Sequence, residues 1–218
     1  MTALVLSLFA AAPPPWEQAL LPPEPGRMEA RAGALLNLVD ASPAPGAVFS
    51  FRMTVSRRVS LGAPLFITLT LLESGPFMLA VSGGITNFLT GAAPFVAPVF
   101  TAHVEGYARG RTTAVRVRAG VTGRAPEGTF AAGAQAAVLQ RLGERVSIGL
   151  ELDAQWQLLP SRESATFAAG AWSWPKLGPT VRVWLAGDWS LDLIGLVGTG
   201  QPTLVAGAAI VWAPKILP

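Results

Sequence analysis

Between residues 146 and 158, apolar and polar side chains change places at every step. Val146, Ile148, Leu150, Leu152, Ala154, Trp156 and Leu158 form one set; Ser147, Gly149, Glu151, Asp153, Gln155 and Gln157 form the other. A helix advances about 100° per residue and would scatter Glu151 and Asp153 around its cylinder, whereas a strand puts the two sets on opposite faces. The same rule separates Phe49, Phe51, Met53 and Val55 from Ser50, Arg52, Thr54 and Ser56. It also separates Phe100, Ala102, Val104 and Gly106 from Thr101, His103, Glu105, Tyr107 and Arg109.

Residues opposed across a hairpin must share a face, so turns can be tested against this pattern. A Gly110-Arg111 turn sets Glu105 opposite Arg116, His103 opposite Arg118 and Val104 opposite Val117. A Leu142-Gly143-Glu144 loop sets Phe130 opposite Trp156 and Gln135 opposite Glu151. A Pro175-Lys176-Leu177-Gly178 loop, ended by a left-handed glycine, sets Trp172 opposite Val181 and Ala171 opposite Arg182. Strands are expected near 32–39, 47–57, 63–72, 76–83, 98–109, 112–122, 129–140, 145–158, 165–174, 179–187, 191–197 and 203–212. The expectation is an all-β chain of eight to twelve strands, closed as an antiparallel up-and-down transmembrane β-barrel.

The rival is a bundle of membrane helices, favoured by a mean hydropathy of +0.45. Residues 74–102 and 193–214 carry no Asp, Glu, Lys or Arg, and each is long enough to span a bilayer as a helix. Gly75, Pro76, Gly83, Gly84, Gly91, Pro94 and Pro98 break the first, and Gly198-Thr199-Gly200-Gln201-Pro202 breaks the second. Each therefore reads as shorter strands joined by turns. Charged residues make up only 13% of the chain, about half the share of a soluble domain. The net charge of +3 comes from two lysines, Lys176 and Lys215, and from scattered arginines, with no basic stripe to track phosphates; no nucleic-acid partner is expected. With no cysteine there are no disulfides or thiolate metal sites.

Residues 1–12 (MTALVLSLFAAA) resemble the core of a secretory signal peptide, without a basic residue ahead of the apolar run; the alternative is an apolar tail. Residues 13–31 are Pro-rich with charges of both signs and read as a linker, leaving 32–218 for the barrel domain.

Several expected strands match the roughly 9–11 residues that cross a bilayer at a tilt, and a sheet in lipid must close because open edges cannot be hydrated. Aromatic residues near strand ends, namely Phe130, Trp156, Trp172, Trp174, Trp189 and Trp212, form a candidate girdle, while Trp184 is expected to point inward. On these features, residues 32–212 resemble small bacterial outer-membrane β-barrel proteins as a class. That resemblance implies the outer membrane of a Gram-negative bacterium, membrane lipids as partners, and other envelope proteins as further ones. The class commonly ends its last strand on a terminal aromatic; here Trp212 is followed by Ala213-Pro214-Lys215-Ile216-Leu217-Pro218.

If the apolar face meets lipid, the other face lines a lumen containing Arg52, His103, Glu105, Arg109, Arg116, Arg118, Gln135, Glu151, Asp153 and Arg182, with Tyr107, Gln155 and Gln157 beside them. Charges of both signs in a narrow barrel have to pair, since an unpaired buried charge costs several kcal/mol. The expected network is centred on Glu105–Arg116, with His103–Arg118 beside it. His103 and Glu105 are the sole catalytic candidates, as an acid/base pair on one side of a strand. The chain has no G-x-S-x-G, no cluster of metal-ligand spacing, and at Gly198-x-Gly200 only a turn; no metal or cofactor is expected. The leading expectation is a non-enzymatic barrel with a structural, anchoring or narrow porin-like role and a closed, charge-paired lumen. The alternatives are a barrel enzyme acting on envelope lipids through His103 and Glu105, a helical inner-membrane protein, and a soluble β-sandwich.

Overall fold

A computed structural model describes residues 25–39, 42–62, 65–86, 99–124, 129–159, 172–198 and 204–216. These residues form a single closed barrel of twelve antiparallel strands. In chain order they are β1 (Met28–Val39), β2 (Ser42–Ser56), β3 (Val59–Gly62), β4 (Leu65–Ser74), β5 (Phe77–Thr86) and β6 (Val99–Arg109). The second half comprises β7 (Thr113–Arg124), β8 (Thr129–Arg141), β9 (Val146–Leu159), β10 (Trp172–Ala186), β11 (Trp189–Val197) and β12 (Leu204–Trp212). Each strand pairs with its neighbours in sequence, and β1 pairs with β12 to close the wall. No helix among the described residues is long and apolar enough to cross a membrane, and the described residues of the two long uncharged stretches fall mainly in strands β5, β6, β11 and β12. The helical-bundle alternative is thereby excluded.

Following paired residues around the wall measures its stagger. From Leu177 the pairs run through Val197, Leu204 and Leu38 to Pro43, near the start of β2. In the other direction they run through Leu152, Ala136, Val117, Gly106 and Leu79 to Leu72, which lies beside the Arg57-Arg58 turn at the end of β2. The circuit thus returns to β2 displaced by about 14 residues, and twelve strands with that stagger tilt by about 40°.

The two ends of the barrel differ. Residues 57–58, 75–76, 110–112, 142–145 and 187–188 connect strands at one end, while 40–41, 63–64, 87–98, 125–128, 160–171 and 198–203 connect them at the other. The first and last described residues lie at the short-turn end and clasp each other there. Gly26 and Met28 exchange backbone hydrogen bonds with Ile216 and Pro214, and the Arg27 guanidinium donates to the Ala213 carbonyl at 2.8 Å and to Asp188 at 3.2 Å.

Three sequence-based pairings are corrected. In β6–β7 the sharp turn is Arg111-Thr112, with the Gly110 N–H donating to Thr113, so partners lie two residues farther along than a Gly110-Arg111 turn gives: Glu105 faces Arg118, Tyr107 faces Arg116 and His103 faces Gly120. In β8–β9 the loop is longer, Leu142 N–H bonding to Val146, and Gln135 faces Asp153 while Trp156 faces Ala132. Both slips are even, which keeps every side chain on its face while changing its partner. The third correction is larger. Residues 172–186 are one strand, not a hairpin: Pro175 is absorbed in a register irregularity between Ser173 and Lys176, and Trp172 faces Trp156. Arg182 faces Asp192 and Ser147, and Ala171 lies outside the described residues. The expected strand at 63–72 corresponds to β4, while the short β3 lies at 59–62, in the connection expected between the strands at 47–57 and 63–72.

Gly178 was read as a left-handed turn residue, yet it allows a close approach of two strands. A Cβ built on it would sit 1.7 Å from the Gly195 carbonyl oxygen. Gly178→Val is expected to destabilise the barrel by about 1–3 kcal/mol through this clash, read as a lowered denaturant midpoint by circular dichroism; an unchanged midpoint would refute the assignment.

Candidate functional site: the charged lumen

Alternation along every strand turns this barrel inside out relative to a soluble core. Outward apolar side chains are exposed, Phe49 by 61%, Leu65 by 62% and Leu150 by 46%, while inward Arg182 is only 2% exposed and Glu105 6%. Trp184 is inward and buried.

One row of pairs crosses five strands. Glu105 on β6, Arg118 on β7, Gln135 on β8, Asp153 on β9 and Lys176 on β10 stand directly opposite one another in succession. Acid, base, amide, acid and base follow in turn, so each charge has an opposite or a dipolar neighbour on the adjoining strand. Arg118 also lies within the field of Glu151. The next row down carries Tyr107, Arg116, Ala137, Glu151 and Gly178. Glu105 is held by hydrogen bonds donated by Ser82 on β5 and by the Tyr107 hydroxyl, rather than by Arg116. His103 sits one row up, opposite Gly120, and its Nδ1 contacts the Thr101 hydroxyl at 3.2 Å. His103 and Glu105 thus use different partners. Arg52 lies inward on β2 and Arg109 near the short-turn end of β6. Gln155 and Gln157 have side chains outside the described residues.

A second cluster occupies the wall where the barrel closes. Arg182 donates through Nε and Nη2 to the two oxygens of Asp192 at 2.5 and 2.6 Å, and its guanidinium lies 5.3 Å from the Trp184 ring centre. Arg31 on β1 reaches the same carboxylate at 2.9 Å and Glu29 at 3.6 Å. Between Arg31 and Asp192 stands β12, whose inward residues there are Ala209 and Val211, with Gly33 opposite Ala209. Small side chains leave the gap that the arginine spans. Two arginines and two carboxylates balance within this cluster.

Sequence reasoning placed Arg182 in the lumen but missed Asp192, Arg31, Glu29 and Lys176. The alternation Trp189, Ser190, Leu191, Asp192, Leu193 carried the signal for Asp192. Arg31 and Glu29 were read as linker, and Lys176 as part of a turn.

The girdle candidates divide between the two ends. Trp189 and Trp212 face outward near the short-turn end with ring centres 5.8 Å apart and stacked. Phe130 is exposed near the long-loop end, where the backbone register sets Trp172 opposite Trp156; the side chains of Trp156, Trp172 and Trp174 lie outside the described residues. Among the described residues no group of three or more metal-ligating side chains converges. No protein-family model matches the chain, and no curated protein matches it.

Asp192→Asn leaves the buried Arg182 guanidinium without its counter-charge and is expected to cost about 3–5 kcal/mol. Adding Arg182→Met should recover part of that loss, because the uncompensated charge is gone. Urea titration of the two variants decides the matter: no recovery in the double variant means the pair is not coupled.

Proposed function

We propose that the chain is an outer-membrane barrel of a Gram-negative bacterium, a structural or anchoring component whose outward face meets lipid and whose lumen is closed by paired charges. The observation that carries this is the inside-out wall: exposed Phe, Leu, Ile and Val outside, buried Arg182, Glu29, Glu105 and Lys176 within. In water such an outer surface would be a liability far larger than the few hundred Å² that soluble monomers expose; in a bilayer it is the required solvent-facing surface. At about 3.4 Å per residue and a tilt of about 40°, the run from Val146 to Trp156 covers about 26 Å of height, matching the apolar band of membrane barrels. Every connection at one end is short, while the other end carries the two longest, 87–98 and 160–171, which follows the same class pattern.

The closed lumen is supported by burial of Tyr107, Arg182 and Trp184 against their neighbours in the short-turn half. A non-enzymatic role is supported by Glu105, whose two oxygens accept from Ser82 and Tyr107, and by His103, which turns to Thr101 instead of Glu105.

Two measurements test the reading. Protein extracted from an outer-membrane fraction should migrate differently before and after boiling, since a folded barrel resists detergent unfolding. Reconstituted in planar bilayers, it should give no steady large conductance. Recovery in a soluble fraction would end the membrane assignment, whereas sustained large conductance would end only the closed-lumen assignment.

A further inference from the structure

The wall is not equally deep all the way round. β3 ends at Gly62, opposite Arg52, whereas β2 continues ten residues farther to Ser42. Over Pro43–Ser50, β1 lies along one edge of β2, and among the described residues no strand lies along the other. Among the described residues the result is a notch in the long-loop half of the barrel, bounded by β2 on one side and by the first residues of β4 below.

Three features of the notch point to its use. The first is backbone chemistry. Thr54 exchanges hydrogen bonds with Gly26 and Arg27, so the even-numbered residues of β2 direct their N–H and C=O toward β1, and the odd-numbered ones direct theirs toward the notch. Both prolines of β2, Pro43 and Pro45, are odd-numbered and therefore remove donors from the open edge. An edge facing lipid with fewer unpaired N–H groups is less costly, and a partner strand seeking to pair there finds two of its bonds missing.

The second feature is exposure. Ser50 alternates with Phe49 and Phe51 and so occupies an inward position, yet it is exposed. The inward hydroxyl residues lower down, Thr54 on β2 itself and Ser60, Thr68 and Ser82 on β3, β4 and β5, are all buried. The third is the rim. From Ser42 to Phe51 there is no charged residue, and Phe49, Phe51 and Leu65 continue the outward apolar band up to the opening.

From these we infer that the notch is a lateral portal through which the acyl chain of a membrane amphiphile enters the long-loop half of the lumen. This rests on the membrane-spanning reading. An apolar, uncharged rim continuous with the lipid-facing band suits a hydrocarbon chain. The two prolines disfavour the alternative occupant, an added β-strand.

The chain has no cysteine, so single-cysteine variants can be labelled with bimane without a background. Three positions are compared in vesicles of phosphatidylcholine brominated on its acyl chains: Ile148→Cys outside the barrel, Thr122→Cys inside behind an intact wall, and Ser50→Cys inside behind the notch. Heat-dependent mobility confirms that each labelled variant is folded. The expected result is quenching at Ser50 comparable to that at Ile148 and several-fold above that at Thr122. Quenching at Ile148 with Ser50 no more quenched than Thr122 overturns the portal and leaves the membrane reading standing. Absence of quenching at Ile148 overturns the membrane reading and the portal with it.

Discussion

Backbone hydrogen bonding between β1 and β12 is the interaction on which the remaining architecture rests. Eleven other neighbour pairs could exist in an open sheet, but only the run of pairs from Ala30–Trp212 to Leu38–Leu204 removes both free edges at once. The chain reinforces this seam in two ways. At the short-turn end, Gly26–Met28 and Ala213–Ile216 are bonded to each other beyond the ends of their strands, with Arg27 tying Ala213 to Asp188. Inside, Arg31 reaches over β12 to Asp192, so that β1 and β11 are joined by charge across the strand that closes the wall. Closure then fixes the stagger, the stagger fixes the tilt, and the tilt sets how much apolar height the outward face presents.

Once the wall is closed, a period of two leaves no freedom about where polar residues go. A lumen lined with charge is costly unless every charge meets its opposite, because desolvation of each ion is repaid only by a close partner. The barrel answers by placing opposite charges on different strands, Asp192 within reach of Arg182 and Arg31, and Arg118 opposite Glu105. The alternation of Glu105, Arg118, Gln135, Asp153 and Lys176 needs the register of four successive ladders, and a one-residue slip in any of them would send half of that row to the outer face. Charge pairing therefore helps to specify register as well as to fill space.

The faces of the strands were legible in the sequence; the partners were less so. Alternation alone assigned Glu105, Arg118, Gln135, Asp153 and Arg182 to one side, because period two is a local property. Register depends on which residues occupy each turn, and moving a turn by a single residue changes every partner by two while leaving the alternation untouched, as at Arg111-Thr112. The segment 172–186 misled for a different reason. Pro175 and Gly178 are the ordinary marks of a turn, but here one sits in a strand irregularity and the other relieves contact with Gly195. β3 was hidden by its length, since four residues carry too little alternation to stand out from a connection between β2 and β4. Arg31 and Glu29 were obscured by the Pro-rich composition before them, although β1 begins at Met28.

The short β3 also explains why closure and access can coexist in one wall. A barrel satisfied along every edge would isolate its lumen from the bilayer, and a barrel missing a whole strand would leave a long row of donors in hydrocarbon. Ending β3 at Gly62 leaves the first ten of the fifteen residues of β2 without it, and Pro43 and Pro45 then lower the number of donors that this part exposes. Below Arg52, Tyr107, Arg182 and Trp184 are buried in the short-turn half, so the gap lies higher in the wall than these packed side chains. Structural integrity and entry from the side are thus assigned to different heights of the same barrel, and the length of one four-residue strand draws the boundary between them.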